Sequence, residues 1–497
     1  MTAPMPHFDC YIDGAFCATE CRAASLDPAT GEAWATFSVA SVADAQRAVE
    51  AADRAFRSGA WAGRTAGQRG RLLFAIADML AARAGELAEI ETRDTGKIIR
   101  ETRSQIAYVA EYYRYFGGLA DKIEGAHLPI DKPDMEVTLR HEPIGVVVAI
   151  VPWNSQLFLT AAKLAPALAA GCTVVLKASE EAPAPLLAFA RVIHEAGVPA
   201  GVVNIISGYG AECGRALTSH PKVARVAFTG GHATARAIIR DTAANLAATS
   251  LELGGKSPIL VFADAEFTSA VNAVVGGIFA ASGQSCVACS RLLVERCMHE
   301  RFLEALLARV RSIRIGLPLD SSTDMGPLAT RRQIECIRRI LEASLGAGAR
   351  LLTGGGPPEA LGDALSRGFF FAPTILSCDN TAVPCAREEL FGPVLTVMPF
   401  DDEADAVAKA NDTDYGLAAG LFTKDLARAH RVARALRAGV VWINTYRAIS
   451  PLAPFGGFGL SGYGREGGQK SVFDYLRTKA VWITTGDSPI PDPFVMR

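Results

Sequence analysis

The sequence predicts an α/β fold with two parallel-sheet domains. Three observations lead to this prediction. Two successive series of short apolar segments alternate with helical segments, half of the 497 residues are hydrophobic, and 21% are charged. Continuous apolar strands separated by helices are typical of parallel sheets covered on both faces. This composition supports large buried cores, and the length predicts two to four domains.

The N-terminal region is predicted to be largely helical. In segment 44–57, helical spacing places five apolar side chains on one face: Ala45, Ala48, Val49, Ala52 and Phe56. Segments 66–93 and 104–116 also read as helices.

The first alternating series begins at residue 144. Its predicted strands are 144–151, 172–177, 202–206 and 224–229, and its predicted helices are a segment ending at 170, then 183–196, 211–218 and 232–245. This order predicts a doubly wound nucleotide-binding domain.

The second series begins near residue 257. Its predicted strands are 257–262, 291–295, 393–400 and 440–444, and its predicted helices are 266–281, 298–312 and 402–410. Segments 120–142 and 470–485 fit neither series, and the latter ends in the apolar segment KAVWITT. A strand without a local partner near a terminus often pairs with another subunit, so the sequence predicts an oligomer.

Composition excludes several classes of function. The net charge of −2 and the lack of a basic tract argue against a nucleic-acid partner. The 11 cysteines are odd in number and scattered, which indicates reduced thiols, a cytoplasmic location and no metal site. The N-terminus has no signal-peptide pattern, and the apolar run 144–152 is too short to span a membrane.

The ends of two predicted strands indicate a cofactor site. A carboxylate such as Glu180, just after the second strand, can accept hydrogen bonds from an adenosine ribose, and Lys177 can donate to the same ring. The carboxylate would repel a 2′-phosphate, which favours NAD over NADP; a solvated loop charge is the equally weighted alternative. Gly230 and Gly231 precede a helix, where backbone N–H groups can bind a pyrophosphate, and Gly210 is a weaker candidate of the same kind.

The sequence also contains a candidate catalytic thiol. Cys286 lies in the Gly/Ser turn GQSCVACSR, between a predicted helix and strand. A reactive thiol needs an oxyanion partner and usually a base, which Asn154 and Glu252 could supply. Each residue also has a structural interpretation: a small buried cysteine, a helix cap and an ion-pair partner.

The chain resembles the aldehyde dehydrogenase superfamily nearly end to end. The matching motifs are VPWN (151–154), KLAPALAAGCTVVLKASE (163–180), FTGG (228–231), LELGGKSP (251–258), GQSCVACSR (283–291), EELFGPV (388–394) and PFGGFGLSGYGREGG (454–468). The resemblance implies a Rossmann-like NAD-binding domain (1–121 and 143–252), a catalytic domain (253–450), and bridging and oligomerisation segments (122–142 and 470–497). It also implies homodimers or homotetramers.

The resemblance also implies roles for individual residues. Cys286 would be the nucleophile, Glu252 the general base, Asn154 the oxyanion donor, and Lys163 a proton-relay or supporting residue. The residues expected to bind the cofactor are Pro152, Trp153, Lys177, Ser179, Glu180, Gly210, Phe228, Thr229, Gly230, Gly231, Leu253, Glu389 and Phe391. The expected substrate-pocket residues are Gln156, Leu157, Thr160, Ser285, Val287 and Phe455.

The chain departs from the family pattern at six positions, one of which is Ala178 in place of a common proline. Ser155-Gln156 replaces a common Phe-Pro pair, and Ala162 stands where some members carry an aromatic residue, which could widen the aldehyde tunnel. Gly231 lacks the usual hydroxyl of the phosphate-binding turn, and Ala235 replaces a glycine there.

The predicted activity is NAD-dependent oxidation of an aldehyde to a carboxylic acid through a thiohemiacetal and a thioester. Three alternatives are a CoA-acylating dehydrogenase, an inactive protein that retains the fold, and a cofactor-free thiol hydrolase. The expected substrate is a medium-sized aldehyde, aromatic or a semialdehyde.

Overall fold

The computed structural model describes residues 4–359, 361–490 and 492–495. The predicted α/β fold is confirmed, since two large sheets with parallel central strands dominate the chain. The eight-stranded sheet has the spatial order Gly462–Tyr463, Ala248–Glu252, Val223–Thr229, Val146–Ile150, Thr173–Ala178, Val203–Ser207, Cys10–Ile12 and Ala15–Cys17. Its central strands are buried on both faces, which explains their continuous apolar sequence.

The seven-stranded sheet is the core of the second series. Its strands lie in the order Arg350–Thr353, Thr374–Ser377, Val394–Phe400, Cys289–Glu295, Ser257–Val261, Ala418–Phe422 and Val440–Ile443. Only the first strand pairs antiparallel.

A three-stranded antiparallel sheet joins the two segments that fitted neither series. It consists of Ala126–Leu128, Met135–Pro143 and Leu476–Thr484. The C-terminal strand therefore has a partner within its own chain, paired from Leu476 opposite Pro143 to Thr484 opposite Met135. It is an edge strand of this sheet. Two minor sheets consist of His7–Phe8, Cys21–Asp27 and Glu32–Val39, and of Tyr415–Gly416 and Phe458–Gly459.

The α-helices cover both faces of the large sheets. They are Val42–Arg57, Ala66–Ala82, Ala84–Thr95, Ile99–Leu119, Gln156–Ala170, Ala184–Glu195, Arg215–Thr218, His232–Thr242, Phe267–Phe279, His299–Arg311, Arg331–Gly346, Pro384–Arg387, Glu403–Asn411 and Leu426–Ala435. The single helix predicted for 66–93 is two helices that meet at Arg83, and the helix predicted for 211–218 begins as a π-helical turn. The helix at 331–346 and the strands at 248–252 and 418–422 were not predicted.

The sequence of the helix Gln156–Ala170 explains why this helix is buried. Nearly all of its residues are buried, because it packs between the eight-stranded sheet and the helices Ala66–Ala82 and Ile99–Leu119. Such a site requires small apolar side chains on every face, which the segment LTAAKLAPALAA supplies. Gly171 ends the helix in the left-handed conformation at φ 98°.

The structure also bears on membrane association, metal binding and the state of the cysteines. Within the described ranges no helix is long and apolar enough to cross a membrane. The same residues contain no cluster of His, Cys, Asp or Glu suited to a metal ion. The cysteines are free thiols, and the cytoplasmic location stays a prediction.

Candidate active site

The carboxyl ends of four neighbouring parallel strands bring the candidate residues to one edge of the eight-stranded sheet. Ile150 lies opposite both Lys177 and Phe228, and Thr229 lies opposite Glu252. Strand registers of this kind align the residues that follow each strand, because parallel strands end on the same side. Asn154 therefore lies near the edge that also carries Glu252.

A cavity of about 920 Å³ extends from this edge to the seven-stranded sheet. Asn154, Glu252 and Cys286 line it. Eleven further residues predicted to bind cofactor or substrate line it as well: Pro152, Trp153, Thr229, Gly230, Gly231, Leu253, Ser285, Val287, Glu389, Phe391 and Phe455. Ala162, where some family members carry an aromatic residue, also lines it. One cavity thus connects the thiol, the carboxylate and the amide.

Cys286 lies in a turn that its neighbours hold in an unusual backbone conformation. The preceding helix ends at Phe279, and Ala281 and Ser282 have φ angles of 52° and 53°. At Gly283, with φ 73°, an added Cβ would collide with the carbonyl of Gly392. The glycine is therefore required for the turn that directs Cys286 into the cavity.

Burial is the main cause that raises the pKa of the Cys286 thiol, to about 12. The negative charges of Glu389 and Glu252 raise it further, whereas Arg447 and the backbone N–H of Val287 lower it. At neutral pH the free protein therefore holds Cys286 as a thiol, and attack on a carbonyl requires removal of its proton.

Asn154 is anchored beside the cysteine turn. The side chain is 9% exposed, and its Nδ2 donates to the backbone carbonyl of Gln284 at 2.9 Å. The second N–H of the amide remains available to a ligand. The Oδ1 atom has no hydrogen-bond partner among the described residues. This contact fixes the amide two residues from Cys286.

Glu252 is the last residue of its strand and has 3% exposure. Neither of its carboxylate oxygens has a hydrogen-bond partner in the described part of the chain. Burial, followed by the charge of Glu466, raises its pKa well above the ordinary value, and Lys163 and Arg465 oppose this effect. A Cβ on Gly456 would lie 2.6 Å from Oε1, so a glycine is needed there. An unpaired carboxylate with a raised pKa has the properties of a general base.

Lys163 is a buried residue that contacts two residues of the cavity wall near Glu252. It is fully buried, forms an ion pair with Glu466, and donates to Thr229 Oγ1 at 2.5 Å. Glu466 and Thr229 both line the cavity, whereas Lys163 does not. The ion pair ties the helix Gln156–Ala170 to the C-terminal segment at the position of Glu252.

The residues predicted to bind the adenosine end lie at the same sheet edge, outside the cavity wall. The Lys177 amine is buried and lies 3.2 Å from Glu180 Oε2, and it also donates to the Ala178 carbonyl at 3.0 Å. Ser179, Gly210 and Phe228 likewise do not line the cavity. The methyl group of Ala235 packs into the hydrophobic core, so it leaves the glycine turn open.

The residues predicted for the nicotinamide side meet across the cavity. Trp153 and Phe391 form an edge-on aromatic pair with centroids 5.4 Å apart. Glu389 accepts from the Gly255 backbone N–H at 3.0 Å, and burial raises the pKa of its carboxyl to about 7.

Three predicted pocket residues are not part of the cavity wall. Gln156, Leu157 and Thr160 are buried on the inner faces of their helix, with exposures of 0%, 2% and 0%. The structure differs from the prediction here, because the helix turns Ser155, Phe158, Leu159 and Ala162 towards the cavity instead. These four positions share one helical face at spacings of three and four.

Sequence reasoning missed a polar wall contributed by the helix Ile99–Leu119 and the residues before it. The buried Lys97 donates to Gln105 Oε1 at 2.6 Å and to Ser155 Oγ at 3.2 Å, and it forms an ion pair with Glu91. Tyr108 donates to the Ile449 carbonyl at 3.0 Å and so holds the facing loop. No local motif marks these residues, because they reach the cavity only through tertiary packing.

The structure is that of an α/β protein in which a thiol, a carboxylate and an amide line one cavity. This cavity lies at the carboxyl ends of parallel strands, where nucleotides bind in such folds. Comparison with known proteins gives the family. The aldehyde dehydrogenase family model matches residues 17–481. The (Z)-2-((N-methylformamido)methylene)-5-hydroxybutyrolactone dehydrogenase of Acinetobacter baylyi is 58% identical over 494 residues, which cover 99% of this chain and 100% of the relative.

Solved structures agree with this match. Betaine aldehyde dehydrogenase from Staphylococcus aureus in complex with NAD+ has a TM-score of 0.96 and 38% identity, covering 98% of this chain and 97% of that one. PnpE in complex with nicotinamide adenine dinucleotide has a TM-score of 0.95 and 41% identity, covering 98% and 99%. The chain belongs to the aldehyde dehydrogenase family, which confirms the predicted enzyme class.

Proposed function

We propose that this protein oxidises an aldehyde to the carboxylic acid with NAD as the electron acceptor. The observation that carries the proposal is the single cavity in which Cys286, Asn154 and Glu252 face residues of the nicotinamide side such as Glu389 and Phe391. The relatives crystallised with NAD support the choice of cofactor.

The side chains present fit NAD. Lys177 and Glu180 would hold the adenosine ribose, because a buried amine and an adjacent carboxylate match its hydroxyl groups. Gly231 begins the helix His232–Thr242, and a Cβ there would meet nothing within 4 Å, which leaves space for a pyrophosphate. Trp153, Glu389 and Phe391 would border the nicotinamide, which supplies the hydride acceptor when bound.

Cys286 loses its thiol proton to solvent, and the sulfur then bonds to the aldehyde carbon while the carbonyl oxygen becomes the oxyanion of a thiohemiacetal. The oxyanion is held by the free N–H of the Asn154 amide and by the Cys286 backbone N–H. Loss of one such donor costs roughly 3–4 kcal/mol in the reaction barrier. Loss of a hydride from this carbon, which the nicotinamide of bound NAD would accept, re-forms the C=O bond and leaves a thioester on Cys286.

Glu252 then removes a proton from water, and the resulting hydroxide attacks the thioester carbon. The C–S bond breaks, the carboxylic acid leaves, and Cys286 regains its proton. The buried Glu252 carboxylate suits this step because no described residue engages its oxygens.

The name of the 58% identical relative supports a substrate class. A butyrolactone with a hydroxyl group on the carbon beside the ring oxygen is the ring-closed form of a 4-oxo acid. When the ring C–O bond breaks and the hydroxyl proton passes to solvent, that carbon becomes an aldehyde and the ring oxygen becomes part of a carboxylate. We propose that this chain also accepts aldehydes of the 4-oxo acid type.

A coupled assay tests the proposed function. Mixing the protein with NAD and an aldehyde is expected to produce NADH and the free acid, with NAD preferred over NADP because the Glu180 carboxylate repels a 2′-phosphate. A requirement for CoA, with acyl-CoA as product, would replace the proposal by a CoA-acylating dehydrogenase. Ester hydrolysis without any nicotinamide reduction would indicate a thiol hydrolase.

We also propose a homodimer or homotetramer that uses the edge strand Leu476–Thr484. Trp482 and Ile483 on this strand are 56% and 47% exposed, and an open strand edge with apolar side chains favours pairing with a second chain. Sedimentation at micromolar concentration is expected to show an oligomer that Trp482→Lys weakens. A wild-type monomer would contradict this assignment.

A further inference from the structure

Arg447 occupies an unusual position in the cavity wall. It follows the strand Val440–Ile443 and has a φ angle of 61°, a conformation that non-glycine residues rarely adopt. Its Nη1 donates to the Gly276 carbonyl at 3.2 Å. A strained residue in a cavity wall is a candidate for ligand binding.

Arg447 differs from the other cationic side chains of the cavity. Lys97 forms an ion pair with Glu91, and Arg100 Nη2 lies 3.0 Å from Asp324 Oδ1. Arg447 forms no ion pair with any residue in the described ranges, although it lines the same space.

The charge of Arg447 nevertheless reaches the groups around it. It lowers the pKa of the Cys286 thiol and that of the Glu101 carboxyl, in both cases against the larger effect of burial. Glu101 is engaged elsewhere, since it accepts from the Ala281 backbone N–H at 2.9 Å. The Arg447 guanidinium therefore retains N–H donors that no carboxylate occupies, and its charge is close enough to act on the Cys286 sulfur.

We propose that Arg447 is a specificity-determining residue that binds a carboxylate on the aldehyde substrate. This inference rests on the proposed oxidation of an aldehyde at Cys286. A guanidinium binds a carboxylate through two parallel N–H···O bonds, which orients the substrate as well as holding it. Glu101, Glu252 and Glu389 also line the cavity, so a monoanion is favoured over a doubly charged phosphate.

A 4-oxo acid exists as an open aldehyde and as a ring-closed hydroxylactone, and the proposed role of Arg447 favours the open form. The open form presents a carboxylate to Arg447 and a free carbonyl to Cys286. The ring-closed hydroxylactone is neutral and lacks the aldehyde carbonyl. Arg447 thus selects the form that the thiol can attack.

The test compares 4-oxobutanoate with its neutral methyl ester. The ratio of their kcat/KM values is expected to fall roughly 10- to 100-fold in Arg447→Gln, mainly through KM for the anion, because a charge-assisted hydrogen bond is lost. Arg447→Lys keeps the charge and is expected to restore part of the ratio. The matched control is Arg100→Gln, which removes a cavity cation already paired with Asp324 and is expected to change the ratio less than about threefold.

An unchanged ratio in Arg447→Gln, whether both kcat/KM values stay the same or fall by the same factor, would overturn the assignment. A 5-methoxybutyrolactone, which cannot open to the aldehyde, is expected not to be oxidised, and its oxidation would refute the tautomer selection. If the wild-type protein oxidises the methyl ester but Arg447 proves irrelevant, the proposed function survives and only this inference fails. If neither substrate yields NADH, the proposed function itself is at fault.

Discussion

Replacing Cys286 with alanine is expected to lower kcat/KM for aldehyde oxidation by roughly four to six orders of magnitude, because no other cysteine among the described residues lines the cavity to form the thioester. Binding of NAD should persist, since the residues proposed to hold it lie on other elements. The measurement is NADH formation at 340 nm together with NAD binding by fluorescence or calorimetry.

Cys289→Ala is the matched control for this variant. Cys289 lies three residues further on, is buried in the core of the second sheet, and does not line the cavity. Its replacement leaves a small space in the core and is expected to lower the melting temperature while the activity changes by less than about tenfold. Full activity in Cys286→Ala, or an acyl adduct found by mass spectrometry at any other residue, would refute the nucleophile.

Replacing Glu252 with glutamine is expected to separate the two halves of the reaction. The first turnover should still release NADH as a burst close to one equivalent of active sites, because Cys286 and Asn154 remain. Steady-state turnover should fall roughly 10²- to 10⁴-fold, since no base is left to activate water. Stopped-flow absorbance and mass spectrometry of the accumulated acyl-enzyme would measure both effects.

The pH dependence gives a second signature of Glu252. A base acts in its ionised form, and burial raises the pKa of this carboxyl, so turnover of the wild-type protein should increase with pH through that raised pKa. The acidic limb should be absent from the residual turnover of Glu252→Gln. If the burst disappeared together with turnover, Glu252 would instead be required to remove the proton from Cys286, whose pKa burial raises to about 12.

The order of apolar strands and helices was enough to predict the two sheets, because parallel strands buried on both faces need continuous apolar sequence. It also placed Asn154, Lys177 and Gly230 near strand ends, and parallel strands end on the same side of a sheet. The motifs that resemble the aldehyde dehydrogenase family then predicted the family, which the comparisons confirm.

The substrate side shows where local sequence is insufficient. A pattern of apolar residues from Gln156 to Ala170 predicts a helix, but the face that meets the cavity depends on how the helix packs against its neighbours. None of the predicted residues Gln156, Leu157 and Thr160 lines the cavity, whereas Phe158, which was not predicted, does.

The sequence alone was sufficient to predict the fold class, the family and the turn that carries Cys286. Hydrophobic periodicity, strand ends and short motifs all depend on residues that are neighbours in sequence. Only the folded structure revealed Arg447 as a cation without an ion-pair partner in the described chain, and Lys163 as the partner of Glu466. Lys163 and Glu466 are separated by 303 positions in sequence. Charge pairing and exposure depend on distances between remote segments, and packing of the whole chain sets those distances.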